Sequence, residues 1–366
     1  LCYLETMRFH GISLNSATSI CILKSCISVG ATIEGREVHA SIIMKGLESD
    51  ILVANALVDM YSKFGWMAMG QKVFDEMERR DVVSWNALIS GYSKHDHGDK
   101  VFGCFEKMQV YGISPDSVTF ACLMRASVCI GCIDTGIWIH GEIARMCIYE
   151  EDIVLGSMLV DMYAKFGLLK KAQEVFDNLV VKDTVSWTSL IVGYAQQERG
   201  EETLACFKEM QWESISPDVV TYACILSICG STRTIVEGRK VHCEIMKKGL
   251  LERDLGLCNT LIEMYAKSGS LVEAQEVHDK LQVRDLVSWN SLIGGYAHHG
   301  ESEKVLEIFD DMLAEDMKPG MITFIVVLTA CGRNGLMCRS CTYFEAMSQN
   351  HGIMPTPEHY TCIVDL

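Results

Sequence analysis

The chain has 366 residues, 49% of them apolar, with only 5 prolines, and carries 48 acidic against 32 basic side chains for a formal charge of −16. Its longest apolar run, Ile322 to Cys331, falls far short of the ~20 residues a bilayer-spanning helix needs, which excludes a transmembrane segment. A chain this acidic does not attract a polyanion from a distance, so any contact with phosphates must come from locally placed lysine or arginine.

Taken in chain order, the first element is an incomplete one. Leu4-Glu-Thr-Met7 through Asn15 aligns with Phe105-Glu-Lys-Met108 through Asp116, so residues 1–15 are expected to be part of a unit whose start lies upstream of Leu1. A signal or transit peptide has room there. From residue 16 to 356 the sequence repeats. Ser84, Ser186 and Ser288 each begin a Ser-Trp followed shortly by Leu-Ile, and both intervals are 102 residues. Asp81, Asp183 and Asp285 keep the same spacing, as do Met60-Tyr61, Met162-Tyr163 and Met264-Tyr265, and Pro115, Pro217 and Pro319. A period held this way marks a stacked array, because each unit must present the same surfaces to its neighbours.

Cutting after the recurring acids divides the period into Val82 to Asp116, Ser117 to Asp152 and Ile153 to Asp183, of 35, 36 and 31 residues. The period is therefore compound, made of standard, long and short units. His39 to His140 is 101 residues whereas His140 to His242 is 102, which places a one-residue deletion near Leu47 to Ser49. That position is expected to be a turn, where deletions cost least. Ten complete hairpins are expected in residues 16–356 as one continuous solenoid, and residues 357–366 open a further short unit.

Within a unit the apolar spacing is helical. Trp85, Leu88, Ile89 and Tyr92 fall at i, i+3, i+4 and i+7, and after a break at His95 to Gly98 the pattern resumes with Phe102, Phe105 and Met108. The β-prone Val, Ser and Trp at the start of each first helix are outweighed by that recurrence. The second helix is expected to stop at Tyr111-Gly112, where glycine accepts the left-handed cap and the following Ser-Pro-Asp forbids continuation. The fold class is all-α: a right-handed superhelical solenoid of stacked antiparallel hairpins.

Val83-Ser-Trp-Asn-Ala-Leu-Ile-Ser-Gly-Tyr92, Gly238-Arg-Lys-Val-His242 and Asn259-Thr-Leu-Ile-Glu-Met-Tyr-Ala-Lys-Ser-Gly269 each resemble one repeat type of the pentatricopeptide repeat family. The 35/36/31 alternation is similar to its plant PLS subclass, and Gly352-Ile-Met-Pro-Thr-Pro-Glu-His-Tyr360 resembles the last repeats before a carboxy-terminal extension. The resemblance covers the whole chain. It implies sequence-specific binding of single-stranded RNA, one base per repeat, in a mitochondrion or chloroplast, as the recognition module of an RNA-editing or RNA-processing factor. It also implies organellar editing cofactor proteins that contact the long repeats.

The residues vary where a reader should vary. Trp85, Leu88, Ile89, Gly91 and Tyr92 are nearly constant among the standard units, whereas the fifth residue is Asn86, Thr188 and Asn290. In the short units it is Asn55, Ser157 and Asn259, and in the long units the apolar Ile20, Ala121, Ala223 and Ile325. The resemblance implies that the fifth and last residues choose the base. Asn55 with Asp81, Asn86 with Asp116 and Asn259 with Asp285 imply U; Ser157 with Asp183 and Thr188 with Asp218 imply G. Asn290 pairs with Gly320 and keeps only a pyrimidine preference. Read 5′ to 3′, the implied target is n-U-U-n-G-G-n-U-Y-n. Alternatively, Asp116 and Asp218 are ordinary turn residues after proline and Asn86 only opens a helix.

The resemblance further implies that the second residues flank the bases: Val83, Val185 and Val287 in standard units, Val118, Val220 and Ile322 in long ones. Gly256 breaks that series. Plain packing at the helix entry is the competing explanation. Lys63, Lys165 and Lys267 recur at the 102-residue period, with Lys94 at the same thirteenth position of a standard unit. They are candidates for phosphate contact, or for complementing a helix carboxyl end.

Seventeen cysteines and the echo of His-x-Glu at His140 and His242 imitate a zinc deaminase signature. The period dismantles it. His39, His140 and His242 hold one repeated position of the long units; Cys21, Cys122 and Cys224 hold another, and Cys104 with Cys206 a third. Cysteines recurring at helical spacing are expected to be small core residues, free thiols suited to a reducing compartment. His278, standing where Phe74 and Phe176 stand, is expected to be a tolerated core substitution. No catalytic residue, metal or cofactor is expected within the chain, and an editing activity would need a deaminase-like domain beyond Leu366. A protein-binding solenoid of tetratricopeptide type is the other function class, but its 34-residue unit and Trp-x-x-Leu-Gly pattern are absent.

Overall fold

A computed structural model describes residues 14–146 and 152–364. Most of the half-unit expected at residues 1–15, and the last residues of the segment 357–366, lie outside that range. Among the described residues there are 21 α-helices, one 3-10 turn and no strand. The chain divides into two compact units, Leu1–Ser186 and Trp187–Leu366.

The first unit contains α1 (Ser16–Val29) and α2 (Thr32–Met44), α3 (Ile51–Lys63) and α4 (Met67–Glu76), and α5 (Val82–Lys94) and α6 (Gly98–Val110). It continues with α7 (Ser117–Ile130) and α8 (Ile133–Arg145), then α9 (Ile153–Lys165) and α10 (Leu169–Asp177). Helix α11 (Thr184–Gln196) begins there and runs into the second unit. The second unit then holds α12 (Gly200–Trp212), α13 (Val219–Thr232), α14 (Ile235–Lys247), α15 (Leu255–Lys267) and α16 (Leu271–Asp279). It closes with α17 (Leu286–His298), α18 (Ser302–Ala314), α19 (Met321–Arg333), α20 (Met337–Gln349) and α21 (Pro357–Val364). The missing residue of the first long repeat falls at a 3-10 turn, Leu47–Ser49.

Within each unit the first helices form a continuous layer. Helix α1 packs on α3, α3 on α5, α5 on α7 and α7 on α9; in the second unit α13, α15, α17, α19 and α21 follow one another likewise. A second helix such as α4 or α18 wedges between its own first helix and the next one. Trp85, Leu88, Ile89 and Tyr92 are buried between these layers, as are Trp289, Leu292, Ile293 and Tyr296. The constant glycine has a steric reason. A Cβ at Gly91 would lie 2.6 Å from Ser62 Cβ, and one at Gly295 would lie 2.4 Å from Ala266 Cβ, so short and standard first helices cross where only the smallest residue fits.

The last residue of a repeat is the N-cap of the next. The Asp81 carboxylate accepts from the Ser84 N–H at 2.8 Å while the Asp81 N–H donates to Ser84 Oγ, and Asp285 with Ser288 repeats the arrangement. At the other end, α1 and α7 stop at Gly30 and Gly131 with φ of 73° and 71°. In the third copy Arg233 occupies that left-handed position at φ 56°.

Long and short repeats are also tied by side chains. Nδ1 of His39, His140 and His242 lies 2.6, 2.8 and 2.9 Å from the hydroxyl of Tyr61, Tyr163 and Tyr265 in the following short repeat. Burial lowers the pKa of each histidine from its ordinary value. One expectation needs correction. Cys104 and Cys206 are buried as small core residues, but Cys122 and Cys224 are only half-buried and Cys21 is exposed. That position lies at the flank of the first-helix layer, where the Cys122 thiol meets Ser90 of the preceding repeat at 3.3 Å.

Candidate functional site

The polar fifth residues lie on the first helices, and four of the six, Asn55, Asn86, Ser157 and Asn259, bond directly to the acid that caps the next repeat. Asn55 Nδ2 donates to Asp81 at 3.3 Å, and Asn86 Nδ2 to both Asp116 oxygens at 2.8 and 2.9 Å. Ser157 Oγ donates to Asp183 at 2.9 Å, and Asn259 Nδ2 to Asp285 at 3.2 and 3.3 Å. Thr188 reaches Asp218 through one intermediate: its hydroxyl is 2.7 Å from that of Thr221, which donates to Asp218 at 2.7 Å. Asn290 has no acid opposite it, because Gly320 stands there, and its Oδ1 accepts from Thr323 at 2.7 Å. Residues assigned from the sequence as pairs are thus adjacent in space.

These pairs are not ordinary surface polar groups. Asn55, Asn86, Ser157, Thr188 and Asn259 are all at most 8% exposed, with Asn290 somewhat more open, while their acid partners are half-exposed or, for Asp218, exposed. Asp81, Asp116, Asp183 and Asp285 combine two tasks, capping a helix and holding the fifth side chain of the repeat before, whereas Asp218 caps its helix and reaches Thr188 only through Thr221. At Asp81, burial acts to raise the carboxyl pKa, but hydrogen bonds from Ser84 and Asn55 outweigh it and keep the group below its usual range.

Aliphatic side chains stand beside this polar line and are left in solvent. Val83, Val118, Val185, Val220, Val287 and Ile322 are between 50% and 66% exposed. Plain packing at the helix entry does not explain exposure of that size. Leu52 and Val154 extend the series through the short repeats. Both were overlooked in the sequence, although each precedes its fifth residue by the same three positions as Val83 precedes Asn86. In the second unit, Val287, Ile322 and Asn290 line an open cavity of about 530 Å³, together with the Lys267–Glu263 ion pair and His298.

Lys63, Lys165 and Lys267 are each the last residue of a short repeat's first helix, so they complement its carboxyl end. Each also pairs with an acid one turn earlier, Asp59 at 2.9 Å, Asp161 at 2.7 Å and Glu263 at 2.7 Å, yet remains about half exposed. Lys94 ends α5 and is exposed. The histidines that echo a zinc signature are engaged elsewhere: His140 bonds Tyr163 and His242 bonds Tyr265. Among the described residues no three His, Cys, Asp or Glu side chains are grouped to share a metal ion.

The sequence profile described as PPR repeat family matches residues 80–128, 182–231 and 284–333, and that described as PPR repeat matches 53–82, 157–183 and 257–286. Among curated proteins, the chain is similar to the mitochondrial pentatricopeptide repeat-containing protein At1g06140 of Arabidopsis thaliana, 34% identical over 98% of this chain and 64% of that protein. It is also similar to the chloroplastic pentatricopeptide repeat-containing protein CRR2 of the same plant, 37% identical over 90% of this chain and 51% of that protein. The chain therefore spans about half to two thirds of the length of these relatives. Among solved structures, pentatricopeptide repeat protein PPR10 in complex with an 18-nt psaJ RNA element superposes with a TM-score of 0.73, covering 95% of this chain and 52% of that one at 19% identity. The tandem profile matches, the likeness to the Arabidopsis proteins over nearly all of this chain and the shared helical-hairpin fold agree: the chain belongs to the pentatricopeptide repeat family.

Proposed function

We propose that the chain binds single-stranded RNA in an organelle, one base to each standard or short repeat, as the recognition module of an RNA-editing or RNA-processing factor of PLS type. Residues 16–356 serve as one continuous array in this reading. The observation that carries it is the line of paired fifth and last residues, Asn55–Asp81 through Asn259–Asp285, bordered by the exposed aliphatics Val83, Val118, Val185, Val220 and Val287. An unstacked base fits such a frame, with its faces against aliphatic side chains and its edge on the polar pair. The psaJ RNA element bound in the PPR10 complex and the organellar names of the Arabidopsis relatives support the same reading. No catalytic role is proposed for these residues.

Selection of bound RNAs from a random pool tests it. Enrichment of n-U-U-n-G-G-n-U-Y-n, 5′ to 3′, is the expected outcome, and recovery of no RNA at all sinks the proposal.

The lysines are assigned to phosphates. Replacing Lys63, Lys165 and Lys267 together with alanine is expected to weaken every RNA alike and to lower the slope of log affinity against log salt by up to about 2, since each phosphate contact on a single strand contributes ~0.7. A slope unchanged in titrations across salt concentrations would show that the three lysines serve only their helix ends and acid partners.

A further inference from the structure

We infer that Thr119, Thr221 and Thr323, the third residues of the long repeats that follow a standard repeat, are positioning residues for specificity. Each orients the fifth residue of the preceding standard repeat and so fixes which of its polar groups, donor or acceptor, is left for the base. This inference rests on the RNA reading above. It gives the long repeats, whose own fifth residues are apolar, a part in reading the base of their neighbour.

Proton accounting around Thr188 carries the argument. Thr221 Oγ1 lies 2.7 Å from the Asp218 carboxylate, and a carboxylate only accepts, so the single Thr221 proton is spent there. Thr188 Oγ1 lies 2.7 Å from Thr221 Oγ1, and with that proton gone only Thr188 can donate across the gap. The Thr188 hydroxyl is therefore left with lone pairs alone to offer a base, near a carboxylate that also only accepts. Two acceptors match the ring N–H and amino group on the Watson–Crick edge of guanine. They face a lone pair at the ring nitrogen of adenine.

At Asn86 the same threonine position produces the opposite polarity. Thr119 Oγ1 lies 2.7 Å from Asn86 Oδ1 and 3.0 Å from the Asp116 carboxylate; neither neighbour can donate, so its one proton goes to the nearer amide oxygen, and an Nδ2 proton shared by the two Asp116 oxygens leaves the other amide N–H to offer a base. That donor suits a pyrimidine carbonyl. Thr323 holds Asn290 Oδ1 in the same way, and Gly320 takes neither amide proton. The short repeats provide the contrast. The serines that follow them turn back to their own caps, Ser84 Oγ to Asp81 Oδ1 and Ser288 Oγ to the Asp285 carbonyl, and the Oδ1 atoms of Asn55 and Asn259 are buried without a hydrogen-bond partner. Among the described residues, Asn86, Thr188 and Asn290 are each held by the threonine of the following long repeat, whereas Ser157 is held by the Ile153 carbonyl and Asp183.

The test compares two RNAs that differ only by G or A at the base assigned to Thr188, titrated by fluorescence anisotropy against wild type, Thr221→Val and Thr221→Ser. Valine keeps the shape and leaves the Asp218 cap on the Thr221 N–H, 2.8 Å away. The freed Thr188 hydroxyl can then rotate and donate to adenine. The G-over-A preference is expected to fall about tenfold in Thr221→Val, one hydrogen bond's worth, and to return in Thr221→Ser. General damage to the fold would weaken both RNAs together and leave the ratio intact. A wild-type ratio in Thr221→Val overturns the inference while the RNA reading stands. A wild-type protein that binds both RNAs equally overturns the base assignment itself, and this inference with it.

Discussion

Changing both guanines of n-U-U-n-G-G-n-U-Y-n to adenine is expected to weaken binding about 100-fold at fixed salt, because each change leaves a buried polar reader without its partner at a cost of ~1–3 kcal/mol. Ser157 and Thr188 are at most 8% exposed, and a hydroxyl in that setting cannot turn to water for compensation. The converse double substitution, Ser157→Asn with Thr188→Asn, is expected to restore tight binding to an RNA carrying U at both positions. Gel shifts on the three RNAs decide the matter. Equal binding of the adenine-substituted RNA would show that the fifth and last residues do not choose the base. The experiment also separates two roles of the acids: as helix caps Asp183 and Asp218 would be indifferent to the base, whereas as acceptors they are not.

His278→Phe is expected to stabilise the second unit by ~1–3 kcal/mol, seen as a rise in melting temperature of about 2–4 °C per kcal/mol. In the first unit Phe74 packs edge-on against Trp85 at 4.7 Å with Arg80 over its ring at 4.9 Å. His278 holds the same place against Trp289 at 4.4 Å, but it is 1% exposed and neither ring nitrogen has a hydrogen-bond partner. Its substitution for phenylalanine is tolerated in the core, as the sequence pattern suggested, at the cost of two buried polar atoms. Burial, and secondarily the Arg284 guanidinium, lower its pKa below the ordinary 6.5.

The pH dependence follows from that direction. The unfolded chain takes up the proton below about pH 6.5 while folded His278 stays neutral, so its contribution to stability is present above that pH and is lost as pH falls toward the lowered folded value. One proton corresponds to a slope of at most ~1.4 kcal/mol per pH unit. His278→Phe is expected to remove that share of the acid sensitivity and to leave the share of His39, His140 and His242. Melting curves between pH 5 and 7.5 that coincide in shape for the two proteins would show that His278 titrates as it does in water.

Much of the fold was legible in the sequence because a repeat is stated several times over. Trp85, Leu88, Ile89 and Tyr92 recur with helical spacing, and the 102-residue interval fixes which hairpin is equivalent to which. Leu47–Ser49, where the sequence places the one-residue slip, forms the expected turn, since length changes most cheaply where no packing surface is interrupted. Cys21, Cys122 and Cys224 misled for a related reason. Recurrence reports that a position has the same surroundings in every copy, and it does not report whether those surroundings are core or flank.

The pairing of Asn86 with Asp116 came from family resemblance and from no feature of the chain between them. Thirty residues separate them, and nothing local indicates that Asp116 turns its second oxygen back toward the preceding repeat while capping its own helix. Thr119, Thr221 and Thr323 were visible as a periodic series but silent as to role, because a capping threonine and a threonine that orients a neighbour are the same residue at the same position. By itself the sequence determined the units, their order, their helical hairpins and the positions free to vary: periodicity and polarity are one-dimensional properties. The direction of each hydrogen bond was decided only in the tertiary structure. A hydroxyl has one proton to give, and which neighbour receives it depends on groups that stacking brings together from successive repeats.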